Sequence, residues 1–438
     1  MRILILLLIL MVAGCAPTAT PSDPSVRIAV NAIEGGKGSV TIAWLNAVRP
    51  LVEQAAGRPL EIVQDGGSDE SFKSRLVLDL YGRTGADIYT FDSLWTAQMA
   101  SAGLLRPLDG WLGAWPEWKQ YPDAMRRMGE YRGHVYVLPF QTDVRGLYYR
   151  KDLFARAGLP GQWRPKNWAE IFAAGEALKK LPGVTPIQWN ASSAFGEAAT
   201  MQGFYLTLLS AGGDLYNWRR RKWIGASDAI RRTLVFYREL YVNRRLADVG
   251  LQLDPKGRER SFERFRDGKI GIYPESTWMW REVLRPGSPW GIENRDDVVG
   301  WAPMPGGGMR GDPRRVSISG GDAFIVNPHS LSPERAWAAL RALSSRESME
   351  IRMKQSPFIP ARQDLLDDAS FRADKELARE VSESLAATRF RPGFPEYPRV
   401  SELVQRMGDQ VIQGVPVDTA LADYARNLKR VVGENKVE

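Results

Sequence analysis

Between Val26 and Asp92 the chain alternates short apolar runs with segments of helical spacing, and that alternation confines it to a small group of folds. Val26 to Ala32 reads as a strand and is followed by a glycine-rich turn, Glu34 to Gly38. Val40 to Ala55 then places Ile42, Leu45, Val48 and Val52 on one helical face. Leu60 to Val63 is a second strand, ending at Gln64-Asp65-Gly66-Gly67. Asp69 is positioned to cap a helix over Glu70 to Tyr81, and Ala86 to Phe91 forms a third strand ending at Asp92. A β-α-β-α-β run of this kind predicts a parallel sheet with helices on both faces. Ligands of such sheets bind beyond the carboxyl ends of the strands, so Glu34, Gln64 and Asp92 should share one edge.

A length of 438 residues suits two domains. The formal net charge of +8 is spread along the chain, with clusters at Arg219 to Lys222 and Arg258 to Arg266 that read as solvated charge. No nucleic-acid-binding module accompanies them, so nucleic acid is not an expected partner. At the N-terminus Arg2 precedes an apolar run, Ile3 to Val12, too short to span a bilayer but laid out like an export signal. The run leads into Val12-Ala13-Gly14-Cys15, which resembles the lipobox of bacterial lipoproteins. That resemblance implies removal of residues 1–14 and lipidation of Cys15, with two acyl chains supplying a stable anchor. Residues 15–25, rich in proline, serine and threonine, then form a tether. The expected location is the outer face of the cytoplasmic membrane. Cys15 is the sole cysteine, so a core rather than disulfides must stabilise the chain.

Catalytic constellations are not apparent. The two histidines, His134 and His329, lack metal-ligand spacing. Glu34 to Ser39 follows a strand as a phosphate loop would, but lacks the G-x-x-x-x-G-K-[ST] spacing. Nothing marks out a pair of carboxylates as a glycosidase would need. No metal, cofactor or enzymatic activity is expected, and a secreted glycosidase-like enzyme is the least favoured alternative.

Several segments in order carry a wider resemblance. They include Asp92-Ser93-Leu94-Trp95, Ala102 to Asp109, Tyr136 to Asp143, Leu147 to Phe154 and Asn167 to Ile171. Phe265 to Ile272, Val299 to Gly307, Ser319-Gly320-Gly321 and Arg389 to Tyr397 continue the series. Together they resemble the extracellular solute-binding proteins of ABC importers, especially the maltose- and trehalose-binding group. The resemblance implies an α/β, periplasmic-binding-protein-like fold of two lobes, joined by several crossings and closing on ligand by a hinge. It places residues 26–140 plus 306–355 in the first lobe and 141–305 plus 356–438 in the second. It also implies capture of a di- or oligosaccharide by a monomer and delivery to an ABC permease.

Sugar hydroxyls need fixed donors and acceptors, and sugar C–H faces pack on flat aromatic rings. On those grounds the first-lobe candidates are Glu34, Gln64, Asp92 and Trp95. By the resemblance, Glu197, Trp278, Trp280, Gly320, Gly321 and Arg391 join them. One of Trp278 and Trp280 should stack on ligand while the other packs. The glycine pair should offer backbone amides, although Asp322 stands where relatives usually have an aromatic. An alternative ligand is glycerol-3-phosphate or a related phosphorylated polyol, held by Arg391 and the Glu34–Ser39 loop.

Overall fold

A computed structural model of the chain describes residues 24–32, 38–65, 68–355, 358–368, 384 and 387–438. Cys15, the segment before it and Glu34 lie outside those residues. The chain begins with strand β1 (Val26–Asn31), helices α1 (Ser39–Ala47) and α2 (Arg49–Ala56), and strand β2 (Leu60–Asp65). Helix α3 (Asp69–Gly82), β3 (Ile88–Asp92) and β4 (Leu138–Thr142) follow. The next strands, β5 (Arg145–Arg150) and β6 (Thr185–Ile187), precede helix α4 (Gly196–Ser210). Helix α5 (Gly257–Arg266), β7 (Ile270–Ser276), β8 (Val299–Pro305) and β9 (Arg315–Ile318) continue the chain. It ends with β10 (Gly321–Val326), α6 (Pro333–Leu343), α7 (Arg346–Gln355), β11 (Ile359–Pro360), β12 (Thr388–Arg389), α8 (Tyr397–Ile412) and α9 (Val417–Val432).

Two six-stranded sheets organise these elements. The first runs β11-β4-β10-β3-β1-β2 and the second β12-β9-β8-β5-β7-β6. The parallel core expected from the first three strands is present, with β1 flanked by β2 and β3 in parallel register. Strand β10 enters antiparallel to β3 and β4, so the whole sheet is mixed. The chain crosses between sheets at 143–144, again at 319–320, and between β11 and β12. Three segments differ from the expected lobe division, the shortest being Gln141 and Thr142, which complete β4 on the first sheet. Met304 pairs with Val316, which keeps β9 on the second sheet, and Ile359 pairs with Thr142, which puts β11 on the first.

Local chemistry explains further differences. The helix read over Val40 to Ala55 breaks at Val48, because Pro50 starts a new helix in its first turn, where its missing N–H does no harm. The α3 cap is Ser68, whose Oγ accepts from the Ser71 N–H at 3.1 Å while Ser71 Oγ accepts in return at 2.8 Å. Asp69 is thereby left to accept from Asn31 Nδ2 at 2.9 Å.

Strand alternation builds a core on each face of the first sheet. Ile28 and Val30 pack with Trp44, Phe140 and Phe324 on one side. Ala29, Phe91 and Ile325 pack with Phe72 and Leu76 on the other. The second sheet is likewise covered on both sides, with α8 and α9 packed into its larger core. Phe324 holds β10 in the sheet through Phe140, with ring centroids 4.5 Å apart, and Trp44 at 6.2 Å. Phe324→Ala should destabilise the fold by about 3–5 kcal/mol. Urea unfolding followed by tryptophan fluorescence checks this, and an unchanged midpoint would contradict the placement of Phe324 at the centre of that core.

Candidate functional site

The polar edges of the two sheets face each other across a cleft of about 150 Å³. From the first lobe it is lined by Asn31 at the end of β1, Asp92 at the end of β3, Gln141 in β4 and Asp322 in β10. Pairing of Asp322 with Asp92 and of Gly321 with Thr142 sets these side by side along one wall. The opposite wall carries Gln202 from α4, Arg258 from α5, and Trp278, Arg281 and Glu282 just after β7. Arg145, at the crossing, also lines the cleft.

The opposite wall is held by ion pairs. Glu275, fully buried, accepts from Trp278 Nε1 at 3.2 Å and lies 3.5 Å from Arg258, whose guanidinium covers the Trp278 ring at 5.2 Å. Arg281 pairs with Glu282 at 3.0 Å, and Glu282 also accepts from the Gly38 N–H of the first lobe at 3.1 Å. Burial pushes the Glu282 carboxyl up, but Arg281 and the Gly38 N–H more than offset this and hold it below the usual range. Gly38 has φ +75° and approaches the Asn31 carbonyl so closely that a Cβ would lie 2.5 Å from it. Polar atoms remain without partners at the lining: Asn31 Oδ1, and Oε1 of Gln202, a residue only 7% exposed.

The expected residues fall into three groups. Asp92, Trp95, Trp278, Gly320 and Gly321 line the cleft. Asp92 also caps the short helical turn after β3, accepting from the Leu94 N–H at 2.9 Å. Trp95 is mostly packed, edge-on to Phe91 at 5.5 Å. The Gly320 N–H is committed to Asp143 at 2.9 Å rather than offered to ligand. Gly321 leaves room for the end of the Met128 side chain, whose Sδ would lie 2.0 Å from a Cβ there.

A second group lies off the cleft. Gln64 is exposed on β2, the edge strand of its sheet. Trp280 packs on Tyr148 and under Arg295, 3.8 Å from its ring centroid. Glu197 lines an adjoining chamber of about 80 Å³ with Lys73 and Tyr397. There it accepts from Tyr397 at 3.0 Å and Ser401 at 3.2 Å, and pairs with Arg391 at 3.5 Å. Burial pushes Arg391 down, but Glu197 more than offsets this and holds it above the usual arginine range. Arg391 donates to the Ala198 carbonyl at 3.1 Å and braces α4 rather than reaching the cleft. Glu34, alone in the third group, lies outside the described residues.

Sequence reasoning misses Asn31, Gln141, Arg145, Gln202, Arg258, Arg281 and Glu282. Arg258 reads in the sequence as part of a solvated cluster; the structure instead packs it against Trp278. Among the described residues no group of histidine, cysteine or acidic side chains could hold a metal ion. Nor, among them, is any helix long and apolar enough to cross a membrane.

Asp322 is a strongly perturbed carboxyl of the cleft. Asp322 is exposed to the cleft, yet desolvation by the surrounding lobes and the neighbouring Asp92 raise it from 3.8 to about 6, although Gln141 donates to it. The unfolded chain therefore releases this proton first, and the folded state holds more protons between about pH 4 and pH 6. Stability from this group is present at low pH and lost as pH rises through that window. Asp322→Asn should accordingly raise the melting temperature at pH 7.5, with the advantage shrinking as pH falls to 4. Calorimetry across that range checks it; equal gains at every pH would contradict the assignment.

In comparisons with known proteins, an ABC transporter solute-binding protein from Thermotoga lettingae, bound with alpha-D-tagatose, has a similar structure. The TM-score is 0.79 at 22% identity, covering 94% of this chain and all of that one. Maltose-bound MalE3 of T. maritima gives 0.77 at 22% identity, covering 93% and 100%. In sequence, a putative binding protein of Brucella abortus is 22% identical over 370 residues, 82% of each chain. The sn-glycerol-3-phosphate-binding periplasmic protein UgpB of Agrobacterium fabrum is 24% identical over 243 residues, 51% of each. The family model for bacterial extracellular solute-binding proteins matches residues 59–350, most of the chain, and the chain belongs to that family.

Proposed function

We propose that this protein is the carbohydrate receptor of an ABC importer, binding a sugar or polyol between its lobes and delivering it to the permease without chemical change. The observation that carries the reading is the cleft itself, with carboxylates on one wall and pre-paired arginines and Trp278 on the other. Hydroxyls both donate and accept, so they are matched by such a mixed lining, and Trp278 offers a flat apolar surface to a sugar face. A cleft of this size encloses one ring. The adjoining chamber, about 80 Å³, shares Asp69, Asp92, Trp95 and Ala198 with it and extends the space beyond that ring.

The phosphorylated alternative is weaker on this lining. Each arginine of the opposite wall already faces a carboxylate, and Arg391 is committed to Glu197. A glycosidase reading is weaker still. Asp92 and Asp322 are neighbours on one wall and Glu282 on the other is committed to Arg281 and the Gly38 N–H, whereas glycosidic cleavage needs two carboxyl groups available on either side of the bond. In the proposed cycle, ligand favours the state in which the lobes touch, as they do between Gly38 and Glu282. The lobes follow the sheets and hinge at the crossings, the protein acts as a monomer, and lipidated Cys15 keeps it beside its permease.

Thermal shift against maltose, D-tagatose, ribitol, sn-glycerol-3-phosphate and inorganic phosphate tests the ligand class. A neutral sugar or polyol at 100 times its Kd should add about 2.7 kcal/mol of stability. Stabilisation by the two phosphates alone would refute the carbohydrate reading. Trp278→Ala and Asp92→Ala should each weaken binding of the stabilising sugar at least about tenfold, roughly the loss of one or two good contacts. Unchanged affinity in both variants by isothermal titration would move the site elsewhere.

A further inference from the structure

Behind the first-lobe wall lies a charged group that neither the fold nor the proposed binding surface explains. Arg352, near the end of α7, is 0% exposed. Among the described residues no carboxylate is within ion-pair reach of it. Three aromatic rings cover its guanidinium instead, with the centroids of Trp44, Phe140 and Phe358 at 4.6, 4.7 and 4.6 Å. Its hydrogen bond runs from Nη2 to Gln141 Oε1 at 2.6 Å, while Nε and Nη1 have no partner.

That bond dictates what Gln141 does next. A guanidinium only donates, so the amide oxygen must face Arg352 and the amide NH₂ must face away. Facing away, Gln141 Nε2 donates to Asp322 Oδ2. One oxygen of Asp322 is thus fixed from behind, and Oδ1 is left open to the cleft. The other charges facing Asp322 are Asp92 on β3 and Arg281 and Glu282 on the opposite wall. Arg281 and Glu282 largely cancel each other, and Asp92 repels, so Arg352 is the uncompensated positive charge on this side.

We propose that Arg352 is a positioning residue for ligand selection: through Gln141 it holds Asp322 as a hydrogen-bond acceptor aimed into the cleft. A site so arranged favours ligands that present donors there, such as sugar or polyol hydroxyls or an ammonium group, and disfavours anions. The selectivity rests on the cleft being the ligand site; the relay itself does not. Arg352 stays charged at neutral pH even though burial lowers it to about 9. Removing that charge leaves Asp322 beside Asp92 with less compensation, so the Asp322 proton should be retained to higher pH.

The test first uses ligand-free protein. Melting temperatures of wild type and Asp322→Asn between pH 4 and pH 8 locate the Asp322 transition, and the same pair is measured in an Arg352→Met background. The transition should move up by about one pH unit in that background. Arg352→Lys should restore part of the shift, and Gln141→Met, which breaks the relay but keeps Arg352, should reproduce it. A merely structural Arg352 would lower melting equally at every pH and leave the transition in place, which would overturn the proposal. Gln141→Met decides between the same two outcomes if Arg352→Met does not fold.

Titration with maltose, ribitol and inorganic phosphate is the second arm. For whichever of the two neutral probes binds, Arg352→Met should weaken affinity little at pH 8, where Asp322 is ionised in both proteins, and up to about tenfold at pH 5, where a one-unit shift leaves about tenfold less of the ionised acceptor. Equal weakening at both pH values would overturn the selection role. Failure of maltose and ribitol to bind wild type would count against the carbohydrate reading, and tighter phosphate binding by wild type than by Arg352→Met would count against the selectivity. The ligand-free transition still decides whether the relay exists.

Discussion

The two-lobed arrangement depends on a buried polar network where the chain passes between its sheets. Arg145 donates from its backbone to Ser317 Oγ at 2.8 Å and from Nη1 to the Ile318 carbonyl at 2.9 Å. The same guanidinium pairs with Asp143 at 3.1 Å, and Asp143 accepts from the Gly320 N–H at 2.9 Å. Outgoing and returning crossings are therefore tied to each other rather than running as independent linkers. Breaking such a buried pair by removing one partner typically costs about 3–5 kcal/mol, because the other charge is left uncompensated. Because Arg145 and Gly320 also line the cleft, its floor and the junction between lobes are built from the same residues.

That overlap constrains the walls. The opposite wall is rigid because buried Glu275 fixes Trp278 and Arg258 at once. The first-lobe wall is assembled from separate strands whose register brings Asp92, Gln141 and Asp322 together. Cross-strand register places these side chains, but it does not settle their protonation or the direction of the Gln141 amide. Arg352 does both from behind the sheet. The relay thus supplies to the first wall what Glu275 supplies to the second.

Much of this fold is legible in the sequence, and the reasons are local. Apolar alternation in Val26–Asn31 and Ile88–Asp92 follows from strands covered on both faces, and glycines mark the turns between elements. Asp92 is legible because it ends a strand whose topology puts it at the ligand edge. Gln64 obeys the same rule yet lies off the cleft, because β2 is the edge strand and sequence does not reveal strand order. Arg258 and Gln202 are invisible for another reason. Arg258 sits amid ordinary charged residues and Gln202 in a mostly apolar, buried helix, and only packing of the second lobe against the first turns those positions toward the cleft. Arg391 shows the reverse: the family likeness points it at the ligand, but its charge is committed to Glu197 and the Ala198 carbonyl.

The departure at Asp322 connects these observations. An aromatic at that position would offer a ligand area without charge and would need nothing behind it. A carboxylate beside Asp92 is unfavourable unless positive charge is close, and the arginines of the opposite wall are already neutralised by their own partners. The compensation must come from within the first lobe, where an apolar core leaves space only for a group that tolerates aromatic neighbours. A planar guanidinium does so better than an ammonium, since its faces stack on rings while its edge still donates. Asp322 in the cleft and Arg352 in the core are on this argument one feature, and a chain that lost either would be under pressure to change the other.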